Sequence, residues 1–214
     1  MLTLYTYWRS SAAFRVRIAL AHKALDANQI PVHLLKDGGQ QKALPYRELN
    51  PAMLVPTLQH DDLTLNQSLA IIEYLDAVFP QHPLLPSEPA KAAVVRALAL
   101  DIACDIHPLN NLRVLQYLTG TLGLSDEQKT AWILHWLQQG FQALELRLSQ
   151  TAGLYAVGDA VTLADLCLVP QVYNALRFQL DMTPYPTIQR IYQQCMTLPA
   201  FIAAAPEQQK DAQS

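Results

Sequence analysis

Leu2-Thr-Leu-Tyr-Thr-Tyr-Trp-Arg-Ser-Ser-Ala-Ala-Phe-Arg-Val-Arg-Ile-Ala-Leu20 decides the fold. Residues 2 to 7 are short and β-prone, Trp8-Arg9-Ser10 bounds them, and Phe14, Val16, Ile18, Ala19 and Leu20 begin a helical run that lasts to about Ala24. A strand therefore hands over to a helix across a serine-rich turn. Outward from it, Gln29-Ile-Pro-Val-His-Leu-Leu35 reads as a second strand, and Lys36-Asp-Gly-Gly39 ends it with loop glycines. A helix is expected from Gln40 to Leu49. Val55-Pro-Thr-Leu58 and Leu63-Thr-Leu65 form a hairpin about His60-Asp61-Asp62, and a periodic helix follows from Gln67 to about Phe79. The order βαβαββα suits a mixed sheet covered by helices, whose first βαβ unit crosses over right-handed and pairs its strands in parallel.

Pro80-Gln-His-Pro-Leu-Leu-Pro86 carries three prolines in seven residues, which no helix interior accepts. The expected organisation is a first domain at 1–80, a linker at 81–87 and a second domain at 88–214. Beyond the linker, 90–118, 125–148, 163–178 and 187–195 all show apolar spacing of three to four residues, so the second half reads as all-helical. Thr162-Leu-Ala-Asp165 has the capping-box pattern of a helix start. The polar end, Glu207 to Ser214, is expected to fray.

Of 214 residues, 51% are hydrophobic and only 15% charged, and the formal net charge is −3. No basic field exists to hold nucleic acid or an anionic membrane surface. No apolar run approaches the ~18 residues that cross a bilayer, and Arg9 arrives too early for a secretory h-region, so a cytoplasmic setting is expected. The cysteines, Cys104, Cys167 and Cys195, lie far apart with no C-x-x-C and read as reduced, buried thiols. No two of the six histidines are three or four residues apart, and no zinc site is expected.

Ser10 and Ser11 stand where the first strand meets the first helix. Their hydroxyls and the free N–H groups there make an anion site, or simply a helix cap. Gln67-Ser68, at another helix start, holds a carboxylate or only caps. Val55-Pro56, at the edge of a β segment, is expected to be cis and to leave the valine backbone open to an extended peptide.

Taken together, these signals resemble the cytosolic glutathione transferases, whose first domain is a thioredoxin-like glutathione-binding fold and whose second is helical. Longer stretches are similar to the zeta class, the maleylacetoacetate isomerases, over essentially the whole chain: Tyr7 to Leu20, Lys36-Asp-Gly-Gly-Gln-Gln41, Asn66-Gln-Ser-Leu-Ala-Ile-Ile-Glu-Tyr-Leu75, Asp105-Ile-His-Pro-Leu-Asn-Asn-Leu-Arg113 and Ala164-Asp-Leu-Cys-Leu-Val-Pro-Gln-Val-Tyr173. The resemblance implies that Ser10 and Ser11 face the glutathione thiol, that Gln41 and the Val55 backbone hold the middle and glycyl end, and that Gln67 and Ser68 take the γ-glutamyl carboxylate. It implies further that His107 and Asn111 border the same cleft. Arg177 matches a substrate-side arginine of the family, and Arg9 and Arg113 resemble those of the related maleylpyruvate isomerases. Guanidinium forks suit substrate carboxylates. Arg15 and Arg17 read as structural. Ala12 departs from the family, which has a cysteine there, and this retunes or lowers activity.

The implied function is a glutathione-dependent cis–trans isomerase converting maleylacetoacetate to fumarylacetoacetate by thiolate addition, bond rotation and elimination. A thiol of pKa ~8.5 is only about 3% ionised at pH 7, and lowering that pKa by ~2 units needs ~2.7 kcal/mol. A serine O–H to the thiolate contributes ~1.5–3 kcal/mol and a helix N-terminus ~0.3–1 kcal/mol, which suffices. The competing readings are a maleylpyruvate isomerase, a transferase or dehalogenase acting on α-haloacids, and a protein-binding relative without catalysis; intact Ser10, Val55-Pro56 and Gln67-Ser68 oppose the last. The resemblance and the apolar excess also imply a homodimer.

Overall fold

The computed structural model describes residues 1–213. The chain divides into two compact units, Met1–Leu84 joined by the chain from Met196 on, and Leu85–Cys195.

In the first unit β1 (Leu2–Thr6), α1 (Ser11–His22), β2 (Asn28–Pro31), α2 (Leu44–Leu49), β3 (Thr57–His60), β4 (Leu63–Asn66) and α3 (Ser68–Val78) follow in the expected order. The sheet runs β2-β1-β3-β4. β1 is parallel to β2, with Leu4 opposite Gln29, and antiparallel to β3, with Leu4 opposite Leu58. Successive strand residues face opposite sides of a sheet. On one side Leu2, Leu4 and Thr6 are buried; on the other Tyr5 and Tyr7 pack with Val32, Tyr46 and Val55. α1 buries Phe14 and Ile18, α3 buries Ile71, Ile72 and Leu75, and the two helices pack on each other.

Several local expectations shift. The helix foreseen over 40–49 divides into a 3-10 turn, Gln40–Lys42, and α2, because Pro45 lacks an N–H and is tolerated only in a first turn. The second strand, expected to reach Leu35, stops at Pro31, with one further bond from the Val32 N–H to Thr6 O at 2.7 Å.

In the second unit α4 (Pro89–Leu100), α5 (Leu112–Gly120), α6 (Asp126–Thr151), α7 (Leu163–Arg177) and α8 (Pro186–Cys195) form the helical array. Buried Ile133, Leu137, Phe141, Leu144 and Leu148 trace one stripe along α6. At Gly140 on this helix a Cβ would come within 2.4 Å of the Ile106 side chain, so a close approach fixes that glycine. α7 is buried along most of its length and packs against α4 and α8. The run 90–118 is not one helix: a π turn at Asp101–Ile106 and a 3-10 turn at His107–Asn110 follow α4, and Pro108 lies where the helix fails. Asn111 then caps α5, its Oδ1 accepting the Arg113 N–H at 3.1 Å.

Two further expectations are corrected. Cys167 and Cys195 are buried free thiols, but Cys104 is exposed, because the π turn presents it beside exposed Asp105 rather than on an apolar stripe. The second unit does not run to the chain end: α9 (Pro199–Ala204) packs against α1 and buries Phe201. Nor is the polar tail frayed up to Gln213, since 3-10 turns at Pro206–Gln208 and Lys210–Gln213 follow and Asp211 is buried; Ser214 lies outside the described residues. Among the described residues no helix is long and apolar enough to cross a membrane.

Candidate functional site

The turn between β1 and α1 begins at Tyr7, whose carbonyl accepts the Ser10 N–H at 3.0 Å. Ser10 is the N-cap of α1: it is extended, half-buried, and its Oγ accepts the Ala13 N–H at 3.2 Å. The capping reading of Ser10 is therefore realised, and it uses only the acceptor side of the hydroxyl. The O–H hydrogen points wherever a ligand acceptor stands. Ser11 is the first residue of the helix and is buried. Arg9 lies over the Trp8 ring at 5.2 Å and is half-buried.

The start of α3 is built differently. Gln67 precedes it with φ 68° and ψ 113°, a left-handed region that costs a glutamine about 1–3 kcal/mol and that clusters at functional sites. Ser68 is buried and accepts from Arg15 Nη1 at 3.2 Å. One arginine of α1 thus reaches the first residue of α3 and places a buried positive charge beneath it. Neither α1 nor α3 has an acidic residue in its first turn, so neither helix offsets the partial positive charge of its N-terminus from within.

Val55-Pro56 is cis, as its sequence context led us to expect. Val55 is buried in the cluster that also holds Tyr7, with Trp8 and Leu34 against it. Asn50 and Tyr46, which the sequence reading passed over, fix the residues on either side: Asn50 Nδ2 and the Tyr46 hydroxyl both donate to Leu54 O, at 2.8 and 2.7 Å, and both contact Thr57 Oγ1. Gln41 Nε2 donates to Leu34 O at 3.4 Å. Its Oε1 is buried with no hydrogen-bond partner, which a ligand N–H would satisfy. Gly39, at φ 102°, lies against that amide, where a Cβ would come within 2.7 Å.

Ser10, Ser11, Arg9, Gln41, Val55, Gln67 and Ser68 thus belong to the first unit. Arg15 ties α1 to α3, and the apolar cluster brings the serine turn, Val55 and the Leu34 backbone together. The other four candidates belong to the second unit. His107 opens the 3-10 turn, Asn111 caps α5, and Arg113 is exposed one residue into that helix. Arg177 ends α7, exposed, with its guanidinium 4.6 Å from the centre of the Phe178 ring.

The first-unit residues fit a peptide-like anion: two helix starts without an acidic first turn, a buried arginine, one orphaned amide oxygen and a clamped backbone segment. Arg15 and Asn50 gave a signal only in retrospect, as an arginine on an otherwise apolar helix face and an asparagine before a proline.

Residues 1–77 match the glutathione S-transferase N-terminal domain family and 134–199 the C-terminal domain family. A Vibrio cholerae protein named probable maleylacetoacetate isomerase is 57% identical over 211 residues, 99% of this chain and 98% of that one. A solved holo structure of a bacterial maleyl pyruvate isomerase, described as a zeta-class glutathione S-transferase, superposes with TM-score 0.94 at 44% identity, covering 98% of this chain and 99% of that one. A maleylacetoacetate isomerase from Methylobacterium extorquens AM1, solved with bound malonate and glutathione, gives TM-score 0.93 at 40% identity over 97% of each chain.

Proposed function

The chain belongs to the glutathione S-transferase family, within its zeta class of maleylacetoacetate isomerases, and from that premise we propose that it isomerises maleylacetoacetate to fumarylacetoacetate with glutathione as cofactor. Bound glutathione supplies a thiolate nucleophile that adds to the cis double bond and leaves again after rotation. The chain's own residues hold and ionise it. The observation that carries the reading is that Ser10 Oγ caps α1 as an acceptor, which leaves its O–H to donate to the sulfur. Ser11 contributes the adjoining start of α1. Gln67, Ser68 and the α3 N-terminus receive the γ-glutamyl carboxylate, with Arg15 behind Ser68 strengthening the field there. Gln41 Oε1 accepts a peptide N–H, and the Val55 backbone pairs with the cysteinyl part.

His107 and Asn111 border the bound tripeptide, and Arg177, with Arg9 and Arg113, binds the substrate carboxylates. That a dicarboxylate, malonate, accompanies glutathione in the M. extorquens relative supports this assignment. Two copies of the chain assemble as a cytoplasmic homodimer; sedimentation of a monomer at micromolar concentration would count against that assembly.

The test is Arg177→Ala. It should lose isomerisation of a maleyl acid by roughly 30-fold or more in kcat/KM, the cost of leaving a carboxylate desolvated and unpaired, with glutathione affinity unchanged. Arg177→Lys should recover only part, since an ammonium lacks the fork. Equal losses for the maleyl acid and an uncharged electrophile would remove the substrate assignment. Faster turnover of maleylpyruvate than of maleylacetoacetate would transfer it to the related acid, whose isomerase is among the close structural relatives.

A further inference from the structure

The serine turn is held by two buried side chains, Arg17 and Asp211. Arg17, buried on α1, donates through Nη1 to Thr6 Oγ1 at 3.1 Å and to Tyr7 O at 3.2 Å, and through Nη2 to Trp8 O at 2.9 Å. The Tyr7 carbonyl is the one that accepts the Ser10 N–H. Arg17 Nε donates to Ala204 O at 3.1 Å, so the same guanidinium joins the turn to the last residue of α9. The remaining backbone group of Trp8, its N–H, donates to Asp211 Oδ2 at 2.9 Å across 203 residues of sequence.

We propose that the carboxyl-terminal tail positions the nucleophile-activating turn, with Asp211 acting through the Trp8 N–H to set where Ser10 and Ser11 stand. The tail is polar almost throughout, Glu207-Gln-Gln-Lys-Asp-Ala-Gln-Ser, so apolar packing does not explain why it lies folded on the first unit. The buried carboxylate of Asp211 accepts the N–H of Trp8, two residues before the N-cap of α1. A hydrogen bond to a charged acceptor is roughly twice as strong as a neutral one, and here it holds the Tyr7–Trp8 peptide, whose carbonyl closes the turn to Ser10. Charge is not its contribution to the chemistry: a carboxylate near a thiol disfavours the thiolate. Asp211 is a positioning residue, and the effect of losing it reaches the sulfur only through the placement of the serines.

The proposal rests on the isomerase reading, and the experiment separates the two. Asp211→Ala and Asp211→Asn are prepared in the full chain, and three quantities are read: hydrogen exchange at the Trp8 to Ala13 amides without ligand, the pKa of the bound glutathione thiol, and kcat and KM for a maleyl acid. Asp211→Ala should exchange faster at these amides, raise the thiol pKa, and lower kcat at neutral pH by roughly ten- to hundredfold with KM unchanged, the scale that a small misplacement of a reacting group produces. Asp211→Asn keeps an acceptor oxygen without the charge and should restore all three. A fully active Asp211→Ala with an unshifted thiol pKa overturns the proposal, and so does an asparagine variant as impaired as the alanine one. If the unmodified protein binds no glutathione, the isomerase reading falls instead, and amide exchange alone then decides whether Asp211 holds the turn.

Discussion

The starts of α1 and α7 are capped by opposite means. At α7 the cap is local and sealed: Asp165 is fully buried, and its carboxylate accepts the Ala156 N–H at 2.8 Å, the Thr162 N–H at 2.8 Å and the Thr162 hydroxyl at 3.0 Å. At α1 the cap is a half-buried hydroxyl with hydrogen-bonding capacity to spare, and no carboxylate stands in the first turn. A helix N-terminus carries about half a positive charge. At α7 a carboxylate stands inside the cap and closes it, whereas at α1 the carboxylate of Asp211 takes the Trp8 N–H ahead of the cap and the start itself is left to offer its charge to a ligand. The two starts teach that binding is built here by omission as much as by placement.

The largest effect that would break this contrast is on folding. Asp165→Ala leaves three buried donors without an acceptor and should cost about 3–5 kcal/mol, a large share of the ~5–15 kcal/mol of a typical domain. Urea unfolding measures it. A loss below about 1 kcal/mol would show that the α7 start is not a stability element.

Next in size is a pH dependence. Burial, the dominant cause, raises the Asp165 pKa from its ordinary value to about 6, against the lowering by its hydrogen bonds with the Ala156, Thr162 and Asp165 N–H groups and the Thr162 hydroxyl. A carboxyl whose folded pKa exceeds its unfolded one binds more protons when folded. Its contribution is therefore fully present below the unfolded value near pH 4 and is lost as pH rises through the folded value of about 6, a change on the order of 3 kcal/mol in all. The difference in unfolding free energy between the unmodified chain and Asp165→Asn should fall by that amount from about pH 3 to about pH 7. A flat difference would place the ionisation elsewhere. Cys195, whose Sγ lies 3.9 Å from Asp165 Oδ1, has its thiol pushed up by burial and by that carboxylate, and so does not titrate in this window.

The two starts also differ in how they could be read. Thr162-Leu-Ala-Asp165 declares itself within four residues, as do the strand before Ser10 and the proline after Val55, because each depends on neighbours in sequence. The supports of the open site do not. Asp211 meets Trp8 across the length of the chain, Arg15 reaches Ser68 from another helix, and Asn50 and Tyr46 clamp Leu54 through a loop. No periodicity or spacing carries such information. Pro45 and Pro108 were legible as helix breakers and were overrun by the apolar spacing around them. The polar tail was misjudged because polarity predicts fraying only where no buried partner waits.

The smallest effect on stability should accompany a clear one on chemistry, at Ser10. Ser10→Ala removes the acceptor of the Ala13 N–H and should destabilise the fold by only about 1 kcal/mol, as loss of an N-cap does. The same substitution removes the O–H assigned to the glutathione sulfur. A hydrogen bond to a charged group contributes ~1.5–3 kcal/mol, so the bound thiol pKa should rise by roughly 1–2 units, read from thiolate absorbance against pH. Ser10→Gly caps nearly as well as serine but has no hydroxyl. It should recover most of the lost stability and none of the thiol shift. If Ser11→Ala raises the thiol pKa and Ser10→Ala does not, the donor is the first residue of α1 and Ser10 is only its cap. If neither raises it, the open start of α1 does not ionise the thiol, and its contrast with α7 would concern folding alone.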